Sequence, residues 1–300
     1  MDQLLDYAID RISQSGAKTE TRLQEYARQA GPVWRERAEE FFERFERFLK
    51  TKGLTFDYGI ECYLKLREAM AEERLNFIRS RQYSNTSFAQ VAEDVYHNPE
   101  VMQYHMYGLV LAQFLWPDQY HRYSFFCDKF QQYAPGVRNY LEIGGGHALY
   151  VSAAVAALGP EAHIDVVDIS ASSLELAKGM LPGAPVCWHH QDIFDFTGDR
   201  LYDFITIGEV LEHLEDPVAM LRRIQQLLAP AGRVYITTPA NAPMIDHIYL
   251  FHSADDIRQM FQGAGFQIES ETSMFAEAMP PAKAEKLKVA LMYAAFVHPF

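Results

Sequence analysis

From the start of the chain to about Tyr133, apolar residues return every third or fourth position between charged ones, as in Trp34-Arg35-Glu36-Arg37-Ala38-Glu39-Glu40-Phe41-Phe42-Glu43-Arg44-Phe45. That spacing is the period of an amphipathic helix, and nothing in this half resembles a strand run. Breaks at Gly31-Pro32, Lys52-Gly53, Ser84-Asn85-Thr86 and Trp116-Pro117 divide it into about six helices. The charged segment from Arg35 to Lys50 reads as a solvated helix packed on a stripe of Phe41, Phe45 and Phe48.

After Tyr133-Ala134-Pro135-Gly136 the pattern changes to short apolar runs separated by helical segments. Strands are expected at Asn139 to Ile143, Ala162 to Val167, Val186 to His189, Phe204 to Ile207 and Val234 to Thr237. Helices are expected at Ser172 to Met180 and Pro217 to Leu228, the second stopped by Ala229-Pro230-Ala231-Gly232. This alternation predicts a parallel sheet covered on both faces, and runs at Phe266 to Glu271 and Val289 to Val297 extend it to about seven strands. The expected class is therefore α/β, with an all-helical domain over residues 1–135 followed by a doubly wound sheet over 136–300.

Composition narrows the classes of function. Apolar residues make up 49% of the 300, enough for a real core. Asp and Glu outnumber Lys and Arg 40 to 27, a net charge of −13 that repels phosphate backbones and anionic membranes, so neither nucleic acid nor membrane is an expected partner. Cys62, Cys127 and Cys187 are scattered and odd in number, which fits neither a disulfide framework nor a thiolate zinc motif. Polar residues interrupt every apolar stretch, and the acidic opening Met1-Asp2-Gln3 is unlike the basic head of a signal peptide. The expectation is a soluble, cytoplasmic protein.

In a doubly wound sheet, the residues just beyond each strand line the ligand crevice. The first strand runs into Glu142-Ile143-Gly144-Gly145-Gly146-His147-Ala148, a turn whose missing side chains let a ligand approach the backbone. As a dinucleotide fingerprint it fails, because Leu149 stands where glycine or alanine is needed. Asp168 ends the second strand, where a carboxylate can accept from both ribose hydroxyls; an N-cap for the next helix is the plainer reading. Asp192 and Ile193 follow the third strand and suit an adenine amino group and ring face, although Asp192 also serves as an ordinary turn residue. The fourth strand leads into Gly208-Glu209-Val210-Leu211-Glu212-His213-Leu214-Glu215-Asp216-Pro217.

Leu-Glu-Ile-Gly-Gly-Gly, Val-Val-Asp-Ile-Ser, Gln-Asp-Ile, Glu-Val-Leu-Glu-His-Leu-Glu-Asp-Pro and Leu-Leu-Ala-Pro-Ala-Gly-Arg-Val occur in that order between about Tyr140 and Phe266. The series resembles the class I methyltransferases that use S-adenosylmethionine (SAM), closest to the branch with ubiquinone-biosynthesis and natural-product enzymes. The resemblance implies a Rossmann-like doubly wound seven-stranded sheet and methyl transfer to O, N or C of a small metabolite, in biosynthesis or secondary metabolism. It also implies that Glu142, Gly144, Gly145 and Gly146 approach the amino acid end of SAM. Asp168 with Ile169 would hold the ribose, Asp192 with Ile193 the adenine, and Gly208 with Glu209 the methionine and substrate side. Ala148 departs from the last small residue of the glycine motif.

Because SAM carries its own activation, the protein must chiefly align an acceptor and remove its proton where necessary. His213, just past the fourth strand and titrating near neutrality, is the candidate base, with Glu209 beside it as the second catalytic candidate. Glu209 and Glu212, three apart on an incipient helix, share a face next to His213. This Glu-Glu-His set also raises a divalent metal, with His247 or His252 as a further ligand, and it is similar to the ligand motif of metal-dependent relatives. The acceptor pocket is expected partly from the aromatic stretches of the helical half, with Tyr104, His105, Tyr107, Tyr120 and His121 as candidates.

Three other classes compete. A nicotinamide oxidoreductase leaves Asp192 and the Glu209–His213 cluster without a purpose, and an RNA methyltransferase conflicts with the acidic balance. A SAM-binding protein without methyl transfer would keep Asp168 and Asp192 but need no base. A homodimer through the helical half is compatible with the sequence.

Overall fold

The architecture is that of a computed structural model describing residues 3–15 and 19–300. Met1 and Asp2 of the acidic opening lie outside the described residues. The helical half comprises α1 (Leu4–Ser13), α2 (Thr19–Gln29), α3 (Gly31–Thr51), α4 (Phe56–Ser80), the short α5 (Phe88–Val91), α6 (Pro99–Leu115) and α7 (Pro117–Tyr133). A π-helical turn, Ala92–Tyr96, continues directly from α5. All the expected breaks separate helices.

In α3, Trp34, Ala38, Phe41, Phe42, Phe45, Phe48 and Leu49 fall on one face and are buried, the stripe read from the sequence and wider than it. The opposite face carries Glu40–Arg44, Glu43–Arg47 and Glu46–Lys50 pairs one turn apart. α6 starts on Asn98, whose side chain accepts from the Glu100 and Val101 amides, with Pro99 in the first turn. It is apolar around most of its circumference because it runs through the middle of this half. Gly108 lets it lie against α4: a Cβ there would stand 2.9 Å from the Cys62 carbonyl oxygen.

The second half alternates as expected: β1 (Asn139–Ile143), α8 (Leu149–Ala157), β2 (His163–Asp168), α9 (Ala171–Met180), β3 (Cys187–His190), β4 (Tyr202–Gly208), α10 (Pro217–Leu227), β5 (Leu228–Ala240), α11 (Ala254–Gly263), β6 (Phe266–Phe275), α12 (Pro281–Lys286) and β7 (Leu291–Pro299). The sheet order is β3-β2-β1-β4-β5-β7-β6. Two features correct the sequence reading. The sheet is mixed, since β7 runs antiparallel to both β5 and β6. The Ala229–Gly232 stretch does not lie outside the sheet but forms an irregularity within β5, with pairing that jumps from Tyr202↔Leu228 to Phe204↔Arg233.

The strand pleat sorts the core into two layers. Tyr140, Ile164, Val166, Phe204, Tyr235 and Phe296 face α7, α8 and α9 and merge with the interior of the helical half into one continuous cluster. Leu141, Ile143, Val167, Ile205, Ile207 and Val234 face α10 and α11. Phe126 and Phe130 of α7 make the junction, with ring centroids 4.8 to 6.4 Å from Tyr140, Phe204, Tyr235 and Phe296. The helical half is therefore seated on the sheet by shared core. That seating brings α6, α7 and the π-helical turn over the C-terminal ends of β1, β2, β4 and β5.

Candidate active site

A single cavity of ≈ 990 Å³ lies beyond those strand ends. Its volume is at the upper end of the range for ligand pockets, room for a cofactor together with a second small molecule. Glu142, Gly144, Gly145, Gly146, Asp168, Ile169, Asp192, Ile193, Gly208, Glu209 and His213 all line it. Residues separated by up to 71 positions thus meet in one space because each stands at or just beyond the C-terminal end of a strand of the same sheet.

The glycine turn is close-packed. Gly144 has φ +76°, and a Cβ on it would stand 2.7 Å from Val210 Cγ2; one on Gly145 would stand 2.5 Å from Val166 Cγ1. Ala148, which caps α8, adopts φ 64°, the left-handed conformation that glycine takes more readily. Asp168 accepts from the Ser170 amide at 2.7 Å and the Gly146 amide at 3.2 Å, tying the end of β2 to the glycine turn. Burial pushes its carboxyl up, and these amides oppose the rise. The helix cap itself is Ser170, whose hydroxyl accepts from Ser173, so Asp168 keeps a carboxylate facing the cavity without serving as the N-cap. Asp192 does serve its turn, accepting from the Phe194 amide at 2.9 Å, and it also lines the cavity. Exposed Ile169 and Phe194 stand beside these two acids with apolar surface turned to the opening.

Glu209 departs from expectation. It sits at φ 53°, so no helix starts there, and the two glutamates of the motif diverge. Its carboxylate is engaged by Arg122 and by the Thr237 hydroxyl at 2.9 Å. Arg122 is fully buried and donates also to Gln119, while neighbouring Asp118 is held above the ordinary carboxylate range by burial, against the pull of Arg122. Both partners hold the Glu209 carboxylate in place. Arg122 gave no signal in the sequence beyond a cation inside an aromatic stretch.

Glu212 turns the other way, into the protein. Its Oε2 accepts from Thr238 at 2.8 Å, while Oε1 is buried and unpartnered. His213 Nε2 lies 3.9 Å from that oxygen and His247 Nε2 lies 4.0 Å from it. The Nδ1 atoms of both rings face backbone carbonyls, Asp246 O at 2.9 Å and Ala242 O at 2.6 Å, which leaves each Nε2 as the acceptor nitrogen. Asp246 Oδ2 lies 3.6 Å from His213 Nδ1 and 3.4 Å from His105 Nε2. The Tyr96 hydroxyl, brought in by the π-helical turn, is 3.3 Å from His213 Nδ1.

These contacts set the protonation states. Burial alone would lower His213, but the Asp246 and Glu212 carboxylates outweigh it and raise the imidazole above its usual value. Asp246 is held well below the carboxylate range, since His213 and His105 more than offset its burial. Burial and the Glu209 charge push Glu212 up to about 8, and burial with the His213 charge lowers His247 to about 4. Burial likewise raises Glu142 to about 8, against the Tyr140 hydroxyl, and lowers His147, beside the glycine turn, to about 4. Unpartnered buried atoms gather at this site, namely His105 Nδ1, Arg122 Nε, His147 Nδ1, Glu212 Oε1 and Asp246 Oδ1. Such a concentration marks a place built for something further to bind.

Of the helical-half candidates, His105 lines the cavity. Tyr104 lies under the Lys65 ammonium, Tyr107 packs among Phe45, Phe48 and Tyr58, Tyr120 packs on Phe114 and Tyr123, and His121 bonds Thr272 of β6 at 2.6 Å. None of these four lines the cavity, because α6 and α7 turn those positions to other neighbours. Met70, Met102, Met106, Leu109, Trp116, Met244 and Met292 line the cavity instead, with Tyr96 near His213. His252 is exposed and apart from the cluster that His247 joins.

Comparison with known proteins bears on the family and the fold. A family model described as a methyltransferase domain matches residues 119–271, just over half of the chain. A ubiquinone biosynthesis O-methyltransferase of Aromatoleum aromaticum is 33% identical over 102 residues, 33% of this chain and 42% of that protein. One from Xanthomonas axonopodis pv. citri is 28% identical over 113 residues, 36% of this chain and 46% of that protein. The similarity thus spans less than half the length of these curated relatives. Among solved structures, the mitomycin 7-O-methyltransferase MmcR superposes with a TM-score of 0.53 at 16% identity, covering 77% of this chain and 68% of that one. The plantazolicin methyltransferase BpumL, solved with S-adenosylhomocysteine, gives 0.50 at 14% identity, covering 77% and 99%. These two share the fold. Among the described residues no helix is long and apolar enough to cross a membrane. Glycine turn, strand-end acids and sheet order agree with a match over half the sequence: this chain belongs to the methyltransferase-domain family, in its class I, SAM-dependent form.

Proposed function

We propose that the protein transfers a methyl group from SAM to an oxygen, nitrogen or carbon of a small, largely apolar metabolite, with residues 136–300 binding the cofactor and residues 1–135 covering the acceptor. The observation that carries this reading is the single cavity in which the strand-end acids and His213 face one another. The donor set fits SAM. Asp168 and Asp192 offer carboxylate acceptors for ribose hydroxyls and an adenine amino group, Ile169, Ile193 and Phe194 offer apolar faces, and the glycine turn offers close backbone approach. When bound, the cofactor supplies an electrophilic methyl on a positively charged sulfur.

The protein's own groups orient the acceptor and take its proton. His213 presents Nε2 as proton acceptor, with Nδ1 against the Asp246 carbonyl and Asp246 stabilising the imidazolium that forms. Glu209, fixed by Arg122 and Thr237, contributes a negative charge beside the methionine side of the cavity. The methionine-rich wall suits an acceptor with an apolar body, and the net charge of −13 favours a metabolite over nucleic acid.

A second reading adds a divalent metal on Glu212, His213 and His247. It is supported by ligand atoms that lie within 4.8 Å of one another and by two imidazoles already oriented by backbone carbonyls. There His213 would be a ligand and the metal would lower the pKa of a bound hydroxyl acceptor.

The test is calorimetric titration of metal-stripped protein with S-adenosylhomocysteine, with NAD in parallel. It is followed by methyl transfer from labelled SAM to a panel of apolar phenols and amines, with and without Mg²⁺ or Zn²⁺. Binding of the first ligand alone, with transfer to an apolar acceptor, is expected. Absence of S-adenosylhomocysteine binding would overturn the assignment, and transfer that needs added metal would select the second reading.

A further inference from the structure

A second cluster of ligating side chains stands away from the cavity, on the outer edge of the sheet. The register pairs Asp165 of β2 with Cys187 of β3 and Val167 with His189. Because side chains two apart on a strand share a face, His163, Asp165, Cys187 and His189 all project from the same side of the sheet. None of them lines the cavity, and no part of the proposed reaction uses them.

Asp165 is the buried centre of this group, its side chain 5% exposed, between His163 at 32% and His189 at 33%. His163 Nε2 lies 2.9 Å from Oδ2 and His189 Nε2 lies 2.6 Å from Oδ1, while the Tyr202 hydroxyl donates to Oδ2 at 2.9 Å. The Cys187 thiol is free and exposed. The ligating atoms of His163, Asp165 and Cys187 lie within 4.8 Å of one another. A tetrahedral ion with ligand bonds of about 2.0 to 2.3 Å places its donors roughly 3.3 to 3.8 Å apart. Rotation of the two partly exposed side chains, His163 and Cys187, about a carboxylate already fixed by Tyr202 and His189 closes that difference.

We propose that His163, Asp165 and Cys187 form a binding site for Zn²⁺ or a similar thiophilic divalent ion, distinct from the cavity and independent of the proposed function. One imidazole, one carboxylate and one thiolate are the donor types zinc takes, and the fourth position is open to water on the exposed side. His189 remains on the other carboxylate oxygen, orienting the ligand as an outer hydrogen bond does in metal sites. The consequence is mechanical. β3 is the edge strand, and the ion would clip it to β2 immediately before the Gln191–Phe194 loop that borders the cofactor end.

The experiment titrates the metal-stripped full chain with Co²⁺ and reads the thiolate-to-cobalt charge-transfer band in the near ultraviolet. The Glu212, His213 and His247 cluster contains no sulfur, so the band cannot come from the cavity's candidate metal ligands. The expected result is a saturable band in the parent protein, lost in Cys187→Ser and lost at equimolar cobalt in His163→Ala, with Zn²⁺ displacing the cobalt. Both substitutions are at partly exposed positions, and a far-ultraviolet spectrum verifies their folding. No thiolate band in the parent protein would overturn the proposal. So would a band that survives Cys187→Ser, which would report Cys62 or Cys127 instead, or one unchanged in His163→Ala.

Discussion

The two ends of the cavity are built by different means. At the cofactor end, Glu142 to Gly146, Asp168 and Asp192 each stand within a few residues of a strand terminus, and their positions follow from the sheet alone. At the acceptor end, Tyr96 comes from a π-helical turn, His105 from α6, His213 from the turn after β4, and Asp246 and His247 from the loop after β5. Those parts meet only because the helical half shares its core with the sheet. The first end is a property of local segments and a common scaffold; the second is a property of packing. Substitutions that separate binding from turnover therefore probe this division directly.

The largest separation is expected at His213. His213→Gln removes the proton acceptor without touching the cofactor end, so turnover should fall about 100- to 10,000-fold while S-adenosylhomocysteine affinity stays as in the parent protein. A loss of affinity equal to the loss of turnover would erase the distinction between the two ends.

Asp168→Ala is the converse. It removes a carboxylate acceptor and loosens the tie between β2 and the glycine turn, so S-adenosylhomocysteine binding should weaken by about 1.5 to 3 kcal/mol in calorimetry. Near-normal affinity would displace the cofactor from this end of the cavity.

A pH profile sharpens the account of the acceptor end. Only neutral His213 accepts a proton, and Asp246 and Glu212 stabilise its charged form, so its pKa lies above the ordinary 6.5. In chelator-treated protein saturated with both substrates, turnover should rise with pH along a limb above that value. Asp246→Asn withdraws the stronger of the two stabilising charges and should move the limb to lower pH; a stationary limb would assign it to another group.

The smallest effect tests the cofactor end for strain. Ala148 occupies a left-handed conformation at the start of α8, and Ala148→Gly relieves it. Thermal unfolding should show a gain of about 1 kcal/mol, with S-adenosylhomocysteine affinity retained.

Much of this was legible in the residues. Except for β5, which starts at Leu228, the strands of the second half begin within two residues of their expected positions, since short apolar runs punctuated by Gly, Pro and Asp leave little choice. The Gly144–Gly146 turn, Asp168 and Asp192 could be placed at the crevice because strand ends are where ligands bind in such sheets. The aromatic candidates of α6 and α7 fared differently. His105 and Tyr107 stand two apart on one helix, yet one lines the cavity and the other fills the core between α3 and α4. Composition is blind to that choice, because a helix with apolar residues around its circumference has no single inward face.

The pair Glu209 and Glu212 gives the same lesson within one motif. As letters they are two acids three apart on an expected helix; in the fold, a left-handed residue at 209 sends one to Arg122 and the other to Thr238 and the histidines. The sequence by itself determined the α/β alternation, the strand ends and hence the glycine turn and acids that line one end of the cavity, because hydrophobic period and turn chemistry are local. Only the tertiary structure decided which helical side chains face the acceptor, the antiparallel placement of β7, and the company of His213, because these depend on contacts between residues tens to more than a hundred positions apart.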